Sequence, residues 1–352
     1  MLKYDNIKKI IYKLDPENAH FLVELLLKNV AYSNWLLSKI SKHFSLHDIS
    51  LQQELFDTTF ANPVGLAAGF DKNATMLKAL SALGFGFVEF GTITPKPQSG
   101  NEKPRVFRFV NEESLQNAMG FNNDGLDKVL KRIKQNSPYS IPIGANIGKN
   151  KTTKNEDSLK DYGILIKGFE KYSNYIVINI SSPNTPKLRD LQNEEFISEL
   201  FQMGVRLTKK PILLKIAPDL EIDDAINLCQ VALNNGAKGI IATNTTMDYS
   251  LLKDAKNFGG ISGKVLKQKS FELFENLAKE FFGKTTLISV GGIDSGTEAY
   301  KRLKAGANLV QVYSALIFKG PSLVKNINKE ILAKMRQDGF KSIKEVIGSD
   351  RR

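Results

Sequence analysis

Apolar residues recur at helical spacing through the first fifty positions, then give way to short unbroken apolar runs separated by longer mixed stretches. Ile7, Ile10, Ile11 and Leu14 fall on one helical face. Asp15-Pro16 resets the backbone. Phe21, Leu22, Leu25, Leu26 and Val30 then resume the period, and Trp35, Leu36, Leu37 and Ile40 continue it. The spacing predicts two or three short amphipathic helices over residues 1–50, carrying the single Trp of the chain. Such a segment either packs on the body of the protein, shapes an apolar groove, or lies in a lipid interface, where Trp and Lys are favoured.

Residues 51–345 form a second unit with a different pattern. Eight runs, at 64–68, 87–92, 143–147, 175–180, 212–216, 239–243, 287–292 and 309–313, mostly carry Val, Ile or Phe with little polar alternation. Strands buried on both faces read this way. Helical stretches lie between them, among them 124–134, 222–233 and 297–305. The last has Asp294 and Ser295 as cap candidates and Gly306 as a stop. Eight strands alternating with helices predict a (β/α)8 TIM barrel, with the first fifty residues as a small N-terminal helical extension. A doubly wound open sheet is the alternative, but its strand-linked G-x-G-x-x-G is absent. The long gap between the second and third runs holds Pro95, Pro97, Ser99, Gly100 and Pro104, and predicts an insertion over the barrel mouth.

Composition narrows the chemistry. Cys229 is the single cysteine, which excludes a disulfide framework, and its place in an apolar-periodic helix marks it as a small core residue. The three histidines, His20, His43 and His47, all precede the barrel. The barrel therefore has no Ser-His pair and no histidine-ligated metal, and no metal is expected. There is no run of about 18 uncharged apolar residues, so no membrane-crossing helix is expected. The N-terminus does not read as a signal peptide. A formal charge of +12 either serves solubility or attracts an anion: a phosphate cofactor, a carboxylate substrate, an acidic lipid surface or RNA.

In a barrel of this kind the site lies at the C-terminal strand ends. The first run leads to Gly69, Asp71 and Lys72, the second to Gly91-Thr92, the third to Asn146, and the fourth to Asn179 with Ser181, Ser182 and Asn184 beyond it. The fifth contains Lys215, the sixth ends in Thr243-Asn244-Thr245, the seventh in Gly291-Gly292 and the eighth in Tyr313-Ser314. Amides and hydroxyls dominate this set, and they suit a planar ligand with urea-like edges, such as a flavin or a pyrimidine. Lys215, inside an apolar run, is either paired internally, with Glu89 as the candidate partner, or set against a site that becomes anionic. The glycine pair and Tyr313-Ser314, after strands seven and eight, stand where this fold usually binds phosphate.

Motifs spread over nearly the whole chain carry a family resemblance. They are LDPENAH at 14–20, GLAAGFDK at 65–72, KPRVFR at 103–108, MGFN at 119–122, NIGKN at 146–150, NISSPNT at 179–185, KIAPD at 215–219, ATNTT at 242–246, GGISG at 259–263 and VGGI at 290–293. Together they resemble class 2, quinone-dependent dihydroorotate dehydrogenases. The resemblance implies oxidation of dihydroorotate to orotate in pyrimidine biosynthesis, with FMN as cofactor. By matching position it implies Ala68, Gly69, Phe70, Asp71, Lys72, Thr92, Asn146, Asn179, Lys215, Thr243, Gly263, Gly292, Tyr313 and Ser314 as FMN contacts. Lys72, Asn117, Ala118, Met119, Gly120, Phe121, Asn179, Asn184, Asn244 and Thr245 would hold dihydroorotate.

Ser182 matches the family's catalytic base. A free serine is a poor base and no histidine is available to it, so a relay through buried water or hydroxyl is expected, with Thr185 as its next member. His20 and Arg108 match positions lining a quinone tunnel formed by the N-terminal helices. A monomer is expected, and the absence of an Arg-rich transit segment points to a peripheral place on the cytoplasmic side of a bacterial inner membrane and not a mitochondrial one. One departure is Asn73-Ala74-Thr75 after Lys72, where many relatives have a glycine. Two other readings compete. An RNA-modifying flavin barrel would use a cysteine acid and a further helical domain, which Cys229 and the short stretch after about residue 335 do not supply, so no nucleic-acid partner is expected. A non-catalytic membrane-surface protein would carry no flavin.

Overall fold

The computed structural model describes residues 4–352, and each of the eight apolar runs forms a strand. They are Val64–Asp71, Phe87–Ile93, Ile143–Ile147, Tyr175–Asn179, Ile212–Ile216, Gly239–Ala242, Thr286–Val290 and Leu309–Val312. All pair in parallel and in sequence order, and the eighth closes on the first through Val310 and Val64, so the sheet is a barrel and not an open sheet. Most strand residues are fully buried, because side chains fill the barrel and helices cover it. The helix candidates hold with small shifts: Leu126–Asn136, Ile222–Asn234 and Gly296–Lys304. Of the two cap candidates before the last, Ser295 is the cap, its hydroxyl accepting the Glu298 amide at 3.3 Å. Cys229 is buried in its helix, and burial pushes its thiol pKa up.

A hairpin closes the lower end. Gln53–Leu55 and Thr58–Phe60 pair antiparallel across Phe56 and Asp57, both at positive φ as a tight two-residue turn requires. Phe60 packs edge-on against Phe87 at 5.5 Å, and the lower barrel is filled by these rings with Tyr175, Val177, Leu213 and Ile288. Such rings need small neighbours: a Cβ on Gly144 would lie 2.4 Å from the Tyr175 ring.

Over the mouth, the expected insertion is an antiparallel sheet. Val106–Phe109 and Ser114–Asn117 form a hairpin, and Gly260–Gly263, far away in sequence, is its third strand. The N-terminal segment forms three helices, α1 (Tyr4–Ile11), α2 (Pro16–Val30) and α3 (Asn34–Phe44). Asp15 caps α2, accepting the amides of Glu17 at 2.9 Å and Asn18 at 3.1 Å, with Pro16 in the first turn. α2 and α3 pack on Leu77–Ala82 and Val106–Phe109, and further ties reach the chain's far end. The Tyr4 and Tyr12 hydroxyls donate to the Ile317 carbonyl at 2.7 and 3.2 Å, and Lys325 donates to the His43 carbonyl. They leave Phe21, Leu25, Leu26 and Trp35 exposed. Among the described residues no helix is long and apolar enough to cross a membrane.

Candidate active site

Strand tips and mouth sheet enclose a polar cavity of about 150 Å³. Its floor is a chain of amides held by one another. Thr92 Oγ1 donates to Asn146 Oδ1 at 2.6 Å, and Asn179 Nδ2 reaches Thr92 Oγ1 at 2.9 Å and Asn146 Oδ1 at 3.1 Å. Asn244 Nδ2 bridges to Ser181 Oγ at 3.0 Å and Asn179 Oδ1 at 3.3 Å. Each amide is thereby oriented before any ligand arrives, which is what precise recognition of a planar heterocycle needs. Asn122 Oδ1 and Asn184 Oδ1, both on residues lining the cavity, are buried without a partner.

Two lysines supply the charge. Lys215 is buried, and its ammonium makes no hydrogen bond or ion pair with another described residue. Burial lowers its pKa, and the Glu89 carboxylate pulls it back up. Glu89, the candidate direct partner, instead takes hydrogen bonds from Gln311, from Tyr175 at 3.4 Å and from Asn146 at 3.4 Å. An unpaired buried ammonium costs on the order of several kcal/mol, so the site favours an anionic or electron-rich ligand beside Lys215. Lys72 is only half-buried; desolvation lowers its pKa, and Glu24 and Glu17 of α2 raise it.

At the corner of strands seven and eight, Gly291 and Gly292 have φ of 121° and 70°. The Gly291 carbonyl is turned to Ser270 Oγ at 2.8 Å and Arg302 Nη2 at 3.2 Å, away from the cavity. Ser262 and Ser314 hydroxyls meet at 3.0 Å. Glycine amides and paired hydroxyls are a fitting donor set for a phosphate.

Not every expected residue reaches this cavity. Ala68, Gly69, Lys72, Thr92, Asn179, Lys215, Thr243, Gly263, Gly292, Tyr313 and Ser314 line it, as do Asn117, Met119, Gly120, Phe121, Ser182, Asn184, Asn244 and Thr245. Asn146 sits beneath the floor, fully buried, and Ala118 acts through its backbone. Asp71 faces away: its buried carboxyl accepts the amides of Asn73, Thr75 and Met76 at 3.3, 2.9 and 2.8 Å. That carboxyl shapes the departure after Lys72, where Ala74 takes a left-handed φ of 54° that a glycine would adopt freely. Ser182 Oγ accepts the Asn184 amide at 3.2 Å, but no hydrogen bond joins it to Thr185, whose hydroxyl is buried without a partner. Gly291 lines it too, as the glycine pair after the seventh run led one to expect, whereas Ser262, Glu113, Lys264 and Lys319 also line the cavity and were not expected. Glu113 pairs with Lys319 at 2.9 Å and Lys264 at 3.8 Å. Only the Gly260–Gly263 pairing brings Ser262 and Lys264 there, and it has no local sequence signal.

A second cavity, about 340 Å³ and mostly apolar, lies between α1–α3 and the barrel. Val23, Leu26, Leu27, Ile40, Phe44 and Phe70 line it, so Phe70 faces this side and not the polar one. His20 meets Phe70 edge-on at 5.0 Å, and burial together with the Lys72 charge brings its pKa down to about 3. Arg108 lies over the Tyr12 ring at 4.4 Å and donates to the Tyr12 carbonyl at 3.3 Å. The two cavities share Lys72, Asn117, Met119 and Tyr313 as a common wall. Among the described residues no group of three or more His, Cys, Asp or Glu could hold a metal ion.

A closed barrel with a polar, cation-bearing cavity at its strand tips and an apolar cavity behind one wall defines a barrel enzyme with two adjoining ligand spaces. The sequence model described as dihydroorotate dehydrogenase matches residues 50–335. The dihydroorotate dehydrogenase (quinone) of a Nitratiruptor species is 57% identical over 349 residues, 99% of each chain. That of Sulfurimonas denitrificans is 57% identical over 357 residues, all of both chains. The Eimeria tenella DHODH solved with ferulenol superposes with a TM-score of 0.85 at 35% identity, covering 97% of this chain and 99% of that one. This chain belongs to the dihydroorotate dehydrogenase family, in its quinone-dependent class.

Proposed function

We propose that the protein oxidises (S)-dihydroorotate to orotate in the polar cavity and passes the electrons to a membrane quinone in the apolar one. The common wall of Lys72, Asn117, Met119 and Tyr313 carries this reading, because it sets a space lined with amides, hydroxyls and lysines directly against a mostly apolar one. FMN, when bound, supplies the two-electron acceptor that links the two ligands. The donor set fits it: glycine amides, Ser262 and Ser314 for the phosphate, Thr92, Asn179 and Thr243 for ring edges, and Lys215 for negative charge on the pyrimidine side.

Dihydroorotate then stacks in what remains, its amide edges on Asn117, Asn179, Asn184 and Asn244 and its carboxylate toward the segment Asn117–Phe121 and Lys72. Ser182 takes the proton from C5 as the hydride leaves C6, and a C5–C6 double bond forms. Lys72 and the asparagines stabilise the enolate-like charge as it grows. The buried Thr185 hydroxyl lies three residues along and passes the proton on through an intervening water. On the other side, neutral His20 and charged Arg108 bind the quinone head, with the tail among the α2 and α3 leucines. The exposed Phe21, Leu25, Leu26 and Trp35 support a peripheral seat on a membrane surface.

Anaerobic addition of dihydroorotate to the yellow protein should bleach the flavin, and a short-chain quinone should restore the colour. A flavin that stays oxidised under excess dihydroorotate would refute the reading.

A further inference from the structure

The LDPENAH stretch does more than cap a helix. Asp15 and Pro16 start α2, and Pro16, Glu17, Ala19 and His20 line the apolar cavity, but Glu17 also has a partner outside that cavity's lining. Its carboxylate grips the nearly buried Arg105 in a two-toothed pair: Nε to Oε2 at 3.1 Å and Nη2 to Oε1 at 2.8 Å. Arg105 directs its remaining nitrogen to the mouth loop, where Nη1 donates to the carbonyls of Ser99 at 2.7 Å and Asn101 at 2.6 Å. Asn101 in turn holds the substrate shelf. Its side-chain nitrogen donates to the Ala118 and Asn184 carbonyls, both at 3.0 Å, and its amide donates to the Met119 carbonyl at 3.1 Å. The Arg105 carbonyl itself accepts the Ala118 amide at 2.8 Å. Asn184 closes the set by donating to Asn117 Oδ1 at 3.1 Å.

We infer that Glu17, through Arg105 and Asn101, is a positioning residue for dihydroorotate, so that helix α2 belongs to the substrate site as well as to the quinone side. The inference rests on the proposed function and deepens it. Two observations favour it over a purely local ion pair. The planar fork of Arg105 has every tooth engaged, so its position is fixed by Glu17 at one end and the mouth loop at the other. The loop's contacts go to the backbone of residues 118, 119 and 184, which flank or carry the cavity-lining side chains of Asn117, Met119 and Asn184. A small shift there misplaces the ligand relative to Ser182, and misplacement by about 1 Å costs on the order of 10²-fold in rate.

The test uses the flavin-loaded, full-length protein without quinone. Dihydroorotate-driven bleaching and the flavin spectral shift on orotate binding are measured for wild type, Glu17→Gln, Arg105→Lys, the swapped double variant Glu17→Arg with Arg105→Glu, and Lys103→Gln as control. Lys103 touches Glu17 at 3.3 Å but is exposed and outside the chain of contacts. Expected are about tenfold or greater weakening of orotate and dihydroorotate binding in Glu17→Gln and Arg105→Lys, partial recovery in the swap, and no change in Lys103→Gln. Should Glu17→Gln fail to fold, Glu17→Asp, which keeps the charge but withdraws it, is expected to show the same loss at smaller size. Orotate binding and bleaching at wild-type strength in the folded Glu17 variants, with only quinone reoxidation impaired, would confine α2 to its own cavity and overturn the inference. Absence of bleaching in wild type would instead sink the proposed function itself.

Discussion

The two cavities of this molecule lie on either side of one wall and are built by opposite means. The polar one is made by rigid elements. Its amide and hydroxyl groups sit mostly at or just beyond strand ends and hold one another in place, as Thr92, Asn146, Asn179 and Asn244 do. The apolar one is made by three short helices that bury little of themselves: among the described residues of α1–α3 only Ala19 is fully buried. Rigid, prearranged polar groups suit a small ligand whose every edge must be read. A loosely roofed apolar space suits a long flexible one that needs exclusion from water more than orientation. Under the proposed function, this contrast gives the barrel the chemistry and the extension mainly access, with Lys72, Asn117, Met119 and Tyr313 lining both cavities.

The sharpest way to break that division is to disable one side and read the other. Ser182→Ala should slow dihydroorotate-driven bleaching by roughly 10²–10⁴-fold, while artificially reduced enzyme should still be reoxidised by quinone at its usual rate. Bleaching of the Ser182 variant at wild-type speed would remove Ser182 from the chemistry. Lys215→Met should come next, with flavin reduction slowed by about 10²–10³-fold and flavin held less tightly, because the preset charge beside the electron acceptor is gone. Unaltered flavin content and reduction rate would show that Lys215 serves Glu89 alone. On the far side, Val23→Trp fills the apolar cavity. It should raise the quinone KM by about tenfold or more with bleaching unaffected, and stopped-flow traces of the two half-reactions separate these outcomes.

The smallest effect concerns His20. Its folded pKa, about 3, lies below its ordinary 6.5, so the unfolded chain takes up a proton that the folded chain refuses. Above about pH 6.5 this has no influence, and stability drains away as pH falls from there toward 3. His20→Gln should therefore lose less melting temperature than wild type between about pH 7 and pH 5, by a few degrees at most. Equal losses would show that the ring titrates freely.

Much of the polar cavity is legible in the sequence because barrel geometry turns linear order into position. Once eight runs are counted, Asn179, Lys215, Thr243 and Gly292 must gather at one end. What sequence could not locate came from two sources. Long-range antiparallel pairing put Ser262 and Lys264 over the mouth, and a four-residue strand rich in glycine announces neither its partner nor its register. Side-chain direction was the other. Phe70, Asp71 and Lys72 are consecutive, yet Phe70 faces the apolar cavity, Asp71 ties a turn, and only Lys72 meets both cavities. The resemblance grouped the three because they adjoin in the chain, whereas a strand end points successive side chains to different faces. Glu89 and Lys215 show the same limit: the sequence suggests them as direct partners, but Glu89 takes its hydrogen bonds from Gln311, Tyr175 and Asn146 instead.

Tyr4, Tyr12 and His43 dock on residues 317–325, about three hundred positions downstream. During synthesis these apolar helices precede the barrel, and the dock of Tyr4 and Tyr12 is among the last parts of it to be made. For most of translation the nascent chain therefore holds α1 without its dock, whereas α2 and α3 meet Leu77–Ala82 and Val106–Phe109 far sooner.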